Sequence, residues 1–145
     1  MPVQVRRAAI ADAGRIAELS EVLGYPVEVR TMAERLAHLL ARDDNAVFVA
    51  VDGEGMVGWV HGAEHELLEV GRLCEILGLV VEASARRSGA GRALVAAIEQ
   101  FAASRGICQV SVRSNVARLE SHSFYDRLGY TRVKTQHSYR KNLEI

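Results

Sequence analysis

The fold is decided by one stretch of sequence, which reads Glu75-Ile-Leu-Gly-Leu-Val-Val-Glu82, Ala83-Ser-Ala-Arg86-Arg87-Ser88-Gly89-Ala90-Gly91-Arg92 and Ala93-Leu-Val-Ala-Ala-Ile-Glu-Gln-Phe101. Its first part is an apolar run rich in β-branched residues, which predicts a buried strand. Its last part places Leu94, Ala97, Ile98 and Phe101 at helical spacing. One face of that helix is therefore expected to pack inward.

The loop between this strand and this helix carries two glycines and three arginines. The first N–H groups of a helix have no partner within the helix and lie at the positive end of its dipole, so they bind anions well. Gly89 and Gly91 lack Cβ atoms, which would let a phosphate approach the main chain closely. The stretch therefore predicts a pyrophosphate site at the start of the helix.

Three other interpretations of this loop compete with a pyrophosphate site. Gly89-x-Gly91-x-x-Leu94 half-matches a dinucleotide fingerprint, but Leu94 stands where the third glycine or alanine belongs, and no acidic residue follows at roughly 20 residues' distance. A P-loop would require Gly-Lys-Ser/Thr, and the loop has no lysine. A glycine-containing helix start without any ligand stays open as the third interpretation.

The composition is that of an ordinary soluble globular protein. A chain of 145 residues, 49% hydrophobic and 25% charged, is expected to form one domain over residues 1–145 with a sizeable core. A formal net charge of zero gives no support to nucleic-acid binding. No apolar stretch is long enough for a membrane span, and the N-terminus lacks a signal-peptide core, so a cytoplasmic location is expected.

Periodicity and turn residues give the element order β-α-α-β-β-β-α-β-α-β-β. Asp12 is predicted to cap the first helix, and Thr31-x-x-Glu34 to begin the second, although a start near Val27 fits as well. Residues 64–71 are predicted to be a polar connection. The predicted strands are residues 3–6, 46–51, 56–63, 73–81, 107–113, 130–134 and 138–141, and the last helix is 117–128.

Arg86-x-x-Gly89-x-Gly91 resembles the Arg/Gln-x-x-Gly-x-Gly/Ala signature of the GNAT N-acetyltransferase superfamily, and the element order is that of its fold. The resemblance spans nearly the whole chain. It implies an α/β (α+β) fold with a mixed, mostly antiparallel sheet flanked by helices. It also implies that acetyl-CoA is the cosubstrate, that no metal is needed, and that an amine attacks the thioester directly in a ternary complex.

The resemblance also implies where the donor binds. The main chain of Leu79, Val80 and Val81 would pair with the pantetheine arm like an added strand. The pyrophosphate would be held mainly by backbone N–H groups of the following loop. The residues of that loop are Arg86, Arg87, Ser88, Gly89, Ala90, Gly91 and Arg92.

A second signature, Ser121-His122-x-Phe124-Tyr125-x-x-x-Gly129-Tyr130, looks like the family's Ala-x-x-Phe-Tyr-x-x-x-Gly-Phe/Tyr element. Tyr125 matches the tyrosine that protonates the coenzyme A thiolate. A phenol with a pKa of about 10 can donate to a thiolate whose own pKa is about 8.5 or higher. Taken alone, a tyrosine beside a phenylalanine on a helix is usually core. Asn115 is assigned a pantetheine contact, although its spacing to Tyr125 is longer than usual.

Glu75 is the candidate base. Family members often place a glutamate on this strand, where it activates the amine through water. On a regular strand Glu75, Leu77 and Leu79 share a face, so the carboxyl group would be partly desolvated, which would raise its pKa. The alternative is a surface glutamate at the start of a strand. Glu64, Glu66 and Glu69 could rim the acceptor site, although a solvated loop fits them as well.

The remaining chemistry-bearing residues predict little. Cys74 and Cys108 are isolated and are expected to be buried thiols, and the five histidines show no metal-ligand spacing. The resulting hypothesis is an acetyl-CoA-dependent N-acetyltransferase acting on a small amine, an aminoglycoside-like compound or a protein amine. Its rival is a non-catalytic coenzyme A-binding sensor or scaffold. A nucleotide-binding oxidoreductase is disfavoured by the missing third glycine, and a homodimer is expected from the edge that the C-terminal strands offer.

Overall fold

The computed structural model describes residues 2–53, 55–114 and 119–145. Contacts divide the chain into two compact units, Met1–Arg113 and Ser114–Ile145, so the single domain stays a prediction. The strands are β1 (Gln4–Arg7), β2 (Asn45–Asp52), β3 (Gly55–Leu67), β4 (Gly71–Val81) and β5 (Val110–Val112). The helices are α1 (Ala13–Glu21), α2 (Val29–Leu40), α3 (Ala90–Ser104) and, in the second unit, α4 (Leu119–Arg127). None of the helices within these described ranges is long and apolar enough to cross a membrane.

The five strands form one mixed sheet in the order β1-β2-β3-β4-β5. All neighbouring pairs are antiparallel except β4 and β5, which run parallel. The β4–β5 pairing covers only Cys74, Glu75 and Ile76. Beyond Ile76, this edge of β4 has no strand neighbour in the described part of the chain.

The two faces of the sheet have different covers. On one face, Val47 and Val49 of β2 pack into a cluster with Ala13 and Ile16 of α1 and Leu36 of α2. On the other face, Leu94 and Ile98 of α3 are fully buried. Ideal Cβ atoms at Gly58 and Gly62 of β3 would lie within 3.2 Å of those two side chains, so glycine lets α3 approach the sheet closely. The central stretch thus folds as predicted, with a buried strand, a loop and an inward-facing helix.

The two N-terminal helices start near the predicted positions, although the capping contacts differ: Asp12 is the N-cap of α1, and α2 begins at Val29, near the predicted alternative start at Val27. The carboxylate of Asp12 accepts a hydrogen bond from Ala9 N at 2.7 Å and pairs with Arg6, so it closes a short 3-10 turn ahead of α1 and makes no side-chain cap to α1 itself. The Arg6 hydrogen bond, more than any other contact, lowers the pKa of Asp12. The capping box at Thr31 is wrong, because Glu28 is the N-cap of α2 and Thr31 lies inside the helix.

The connection predicted at 64–71 is shorter than expected, since β3 runs to Leu67 and β4 starts at Gly71, which leaves only the turn of residues 68–70. Polarity suggested a loop, but one face of an antiparallel hairpin can be polar. Glu64 accepts hydrogen bonds from Arg72 and Arg105, which ties the hairpin to the end of α3. These bonds, Arg72's first, hold the pKa of Glu64 below its ordinary value.

The two C-terminal strands predicted at 130–134 and 138–141 are wrong. Residues 130–145 contain no helix or strand, and residues 131–145 are all exposed. Side chains such as Val133 and Tyr139 favour strands, but a strand persists only when a neighbour takes its backbone hydrogen bonds. No pairing of residues 130–145 with another described strand is present. The edge from which a homodimer was predicted therefore does not form.

Candidate active site

The loop before α3 has the geometry of an anion site. Gly89 is the N-cap of α3 with φ of 90°, and Arg87 also has a positive φ, of 73°. Ala93 N donates to Gly89 O, so the N–H groups of Gly91 and Arg92 come before the first bond of the helix. The Ser88 hydroxyl accepts from Ala90 N and donates to Ala85 O, which fixes the turn.

The loop residues themselves are mostly exposed. Arg86, Arg87, Ser88, Gly89 and Arg92 lie at the surface, and Ala90 is buried beneath them. An ideal Cβ on Gly89 would meet nothing within 4 Å, so open space lies above the main chain at this point. Exposed arginines around unfilled amide donors can bind a pyrophosphate.

A cleft of about 630 Å³ lies beside the start of this loop. Its charged lining residues are Arg15, Glu18, Asp52 and Glu82. Arg15 donates to Met56 O and pairs with Glu82, which anchors α1 against the end of β4. Three carboxylates against one arginine make this cleft unsuited to a pyrophosphate.

Leu79, Val80 and Val81 occupy the edge of β4 that lies beyond the β5 pairing. On its other side each pairs with β3, at Val60, Trp59 and Gly58. Val80 is buried and its two neighbours are half-buried, so their side chains pack into the core as expected. Their outer backbone edge can take an added strand, such as a pantetheine arm with its amide groups.

A β-bulge interrupts β4 between these residues and Glu75. His61 pairs with Gly78 and Gly62 pairs with Ile76, so Leu77 has no partner on β3. The bulge puts Glu75 and Leu79 on opposite faces of the sheet, and Leu77 is 49% exposed. The prediction that Glu75, Leu77 and Leu79 share a face is therefore wrong.

The residue after the bulge, Gly78, lies under the ring of Trp59. An ideal Cβ there would come within 2.8 Å of Trp59 Cη2. The Trp59 Nε1 atom is buried and has no hydrogen-bond partner. Glycine thus lets an indole cover the strand beside the bulge.

Glu75 is 9% exposed, so the structure places it in a buried environment and excludes the surface alternative. It lies opposite Ala63 of β3 and pairs in parallel register with Ser111 of β5, where the two strands are about to part. Its Oε1 is 3.2 Å from Nε2 of His65, and its Oε2 is 3.2 Å from Nε of Arg113. Both carboxylate oxygens therefore face N–H donors.

Three residues on the same face as Glu75 were missed from the sequence: His61, His65 and Arg113. His61 alternates with Ala63 along β3, and its Nε2 lies 2.8 Å from Oδ1 of Asn45. Burial lowers the pKa of His61. No regular alternation of apolar and polar side chains over residues 57–65 marked His61. The Arg113 pairing depends on the parallel β4–β5 register, which only the fold supplies.

Tyr125 lies on α4 in the second unit. Its ring packs edge to face with Phe124 and Tyr130, at centroid distances of 5.0 and 5.8 Å. Burial raises the pKa of Tyr125, so the phenol keeps its proton at neutral pH. Gly129 (φ 90°) ends the helix, and Tyr130 N donates to Tyr125 O.

Asn115 lies outside the described residues, so its assignment to pantetheine stays a prediction. The two cysteines differ, since Cys74 is buried and Cys108, contrary to expectation, is exposed. Burial, together with the charges of Glu64 and Glu75, raises the pKa of Cys74 to about 11. Such a thiol is a poor nucleophile. Among the residues that the structure describes, no three His, Cys, Asp or Glu side chains form a metal-ligand group.

The sequence model of the family described as "Acetyltransferase (GNAT) family" matches residues 15–130. The match covers most of the chain and includes both the loop at 86–92 and Tyr125. The protein belongs to the GNAT acetyltransferase family. It is an enzyme that transfers acetyl from acetyl-CoA to an amine.

Three solved structures share the fold. AAC(6')-Iy in complex with the bisubstrate analogue CoA-S-monomethyl-acetylneamine has a TM-score of 0.87 at 17% identity, over 99% of this chain and 100% of that chain. A transcriptional regulator from Bacillus halodurans C-125 has a TM-score of 0.85 at 23% identity, over 96% of this chain and 99% of that chain. Glucosamine-6-phosphate N-acetyltransferase from Arabidopsis thaliana has a TM-score of 0.82 at 20% identity, over 98% of this chain and 100% of that chain. Curated proteins gave no significant match. These likenesses confirm the predicted fold class.

Proposed function

We propose that the acceptor is a cationic primary amine that attacks acetyl-CoA directly in a ternary complex, with Glu75 as the base and Tyr125 as the acid. The observation that carries this proposal is the position of Glu75, a nearly buried carboxylate at the point where β4 parts from β5. An ammonium group is drawn to such a carboxylate, which accepts its proton directly or through a water molecule.

The donor would lie along the outer edge of β4. In this proposal Leu79, Val80 and Val81 bind the pantetheine by backbone hydrogen bonds, and Asn115 adds a contact. The pyrophosphate is held by the loop of Arg86, Arg87, Ser88, Gly89, Ala90, Gly91 and Arg92. Support comes from the positive φ of Gly89, the uncommitted first-turn amides of α3 and the exposed arginines.

The thioester carbonyl would lie at the bulge. Leu77 has no partner on β3 and none on β5, so its peptide group is available to stabilise the oxyanion that develops on the carbonyl. Tyr125 would then protonate the departing thiolate. No covalent acyl-enzyme is invoked, since the thiol of Cys74 is buried and its pKa is raised to about 11.

The acceptor is a small amine, an aminoglycoside-like compound or a protein amine. The relative AAC(6')-Iy carries an acetylneamine analogue, which makes neamine a suitable first probe. The patch of Asn45, His61, His65 and Glu75 supports a small polar acceptor, because it offers both donors and acceptors around a carboxylate. Absence of nucleic-acid and membrane partners, a cytoplasmic location and a homodimer stay predictions.

The test has two parts. Isothermal titration with acetyl-CoA should give micromolar binding, and thiol release should appear when neamine is added to the protein and acetyl-CoA. Binding without thiol release from neamine, spermidine or a lysine peptide would favour the sensor alternative. Absence of binding would contradict the donor site itself.

A further inference from the structure

Acetylation of an ammonium group releases two protons from one nitrogen. The balanced reaction is R–NH3+ plus acetyl-S-CoA giving R–NH–CO–CH3, HS-CoA and H+. One N–H bond breaks before the nitrogen attacks, and a second breaks after the N–C bond forms and the C–S bond breaks. Tyr125 gives its own proton to the thiolate and regains one from solvent after each turnover. Glu75 can hold one of the two amine protons, and a second base beside it would hold the other.

His61 has the right tautomer to be that acceptor. Its Nε2 lies 2.8 Å from the amide oxygen of Asn45, which can only accept a hydrogen bond. Nε2 must therefore carry the proton, and in the neutral ring Nδ1 carries the lone pair. Among the described residues, nothing donates to Nδ1.

The orientation of Asn45 is itself fixed. Its Nδ2 donates to Oδ1 of Asp44 at 2.8 Å, which identifies the other atom, facing His61, as the oxygen. Asp44 in turn accepts two hydrogen bonds of 3.1 Å from Arg42. Arg42, followed by Asn45, lowers the pKa of Asp44 to about 2, so the carboxylate stays an acceptor at every working pH. The chain from Arg42 to His61 thus sets one tautomer.

His61 also lies on the correct face of the sheet. Ala63 lies opposite Glu75, and His61 and His65 flank Ala63 at two residues' distance on either side. Alternation along β3 puts all four side chains on one face. Such diagonal neighbours are about 7–8 Å apart between Cα atoms, a gap that a bound amine or a water molecule can bridge.

We infer that His61 is a second proton acceptor of the acetyl transfer, taking at Nδ1 the amine proton that Glu75 does not take, and that Asn45 is its positioning residue. The inference rests on the proposed function, because it assumes that the amine binds at Glu75. His61 becomes an imidazolium with both nitrogens protonated. After each turnover Glu75 and His61 each return one proton to solvent and Tyr125 takes one back, so one proton is released per acetyl group transferred.

The surroundings favour the neutral imidazole between turnovers. Burial lowers the pKa of His61, so the ring is a base at neutral pH. Asp44 lies behind Asn45 at the start of β2, and β4 contributes Glu75 with its partner Arg113. His65 lies on β3 itself, and α1 contributes Arg15, which donates to Met56 of β3.

The first experiment measures the tautomer directly. Long-range ¹H–¹⁵N spectra of the full-length protein should show Nε2 of His61 protonated and Nδ1 bare, with a titration midpoint below about 6.5. The signal is assigned by its loss in His61→Gln. A ring protonated at Nδ1, or a midpoint above that value, would overturn the inference without reference to turnover.

The second experiment uses kcat/KM for neamine as a function of pH. His61→Gln should lower kcat/KM by about 100-fold and remove the histidine ionisation from the acid limb, with acetyl-CoA affinity unchanged. His38→Gln, a change at an exposed histidine of α2, is the matched control. Asn45→Asp places a carboxylate on Nε2 and should move the acid limb to higher pH, an effect that a merely structural Asn45 would not produce.

The two failures are distinguishable. If kcat/KM of His61→Gln stays within twofold of the wild-type value and the acid limb does not move, the role of His61 is overturned but the proposed function is not. Wild-type protein that binds acetyl-CoA but acetylates no amine overturns the proposed function, and the role of His61 with it. Loss of turnover in His61→Gln accompanied by loss of acetyl-CoA binding indicates a structural role and also counts against the inference.

Discussion

Arg113 Nε lies 3.2 Å from Oε2 of Glu75. The first residue after β5 thus forms an ion pair with β4, close to the point where the two strands separate. The pair involves an arginine that is 81% exposed and a carboxylate that is 11% exposed. The guanidinium is thus mostly in solvent while the carboxylate is not. In the proposed function, Arg113 compensates the charge of Glu75 until the cationic amine replaces it.

Glu75→Gln is expected to lower kcat/KM for the acceptor by about 100-fold or more, because the amide can neither attract the ammonium nor take its proton. Acetyl-CoA affinity, measured by titration, should stay within about twofold, because the proposed donor site consists of the loop at 86–92 and the backbone of residues 79–81. Glu144→Gln, at an exposed glutamate to which no role is assigned, is the control. Equal turnover in the two variants would remove Glu75 as the base.

Tyr125→Phe should lower kcat at least tenfold while leaving donor affinity nearly intact, because only the proton donor is lost. Burial raises the pKa of Tyr125 above its ordinary value of about 10, so its ionisation should add no alkaline limb below that pH. Steady-state kinetics from pH 6 to about 10 measure both effects. Tyr139→Phe, which removes an exposed phenol, should change neither.

Gly89→Ala is expected to weaken acetyl-CoA binding about tenfold. A left-handed backbone costs a non-glycine residue roughly 1–2 kcal/mol, and relaxation of φ from 90° would turn the first amides of α3 away from the pyrophosphate. Gly106→Ala, at φ of 74° beyond the other end of the same helix, is the matched control. It should lose similar stability in urea but keep the donor affinity, and equal Kd changes would contradict the anion site.

Gly78→Ala tests the approach of Trp59 to β4. A Cβ within 2.9 Å of two ring carbons must displace the indole, so unfolding free energy should fall by about 1–3 kcal/mol. Fluorescence of this tryptophan, the only one in the chain, should shift as well. Gly14→Ala, whose Cβ would meet its nearest atom at 3.9 Å, should be close to neutral.

The cysteines should react at very different rates. Cys108 is exposed and should be alkylated readily by iodoacetamide in the native protein, whereas Cys74 is buried with a pKa of about 11 and should react only after unfolding. Mass spectrometry of the labelled protein distinguishes them. Full acetyltransferase activity after alkylation of Cys108 alone is the expected result, and acetyl recovered on Cys74 would contradict direct attack.

The sequence by itself determined the central strand, the loop at 86–92 and α3, because each is signalled by neighbours in the chain. β-branched runs, helical spacing and a glycine with positive φ are local features. The same holds for the family signature, which lies in two short segments. Glu75 could be selected as the candidate base because it is the one acid within that apolar strand.

Only the tertiary structure decided which groups surround Glu75. Arg113 contacts Glu75 because β4 pairs with β5, and His65 contacts it because β4 pairs with β3. Asn45 contacts His61 because β2 pairs with β3. The bulge at Leu77 reversed the face of every residue after it, which no regular period-two pattern could show. At residues 130–145 the sequence predicted two strands that the structure lacks, because strand-favouring side chains do not form a strand without a pairing partner. Such features depend on hydrogen bonds between segments distant in the chain, and local sequence carries no record of those partners.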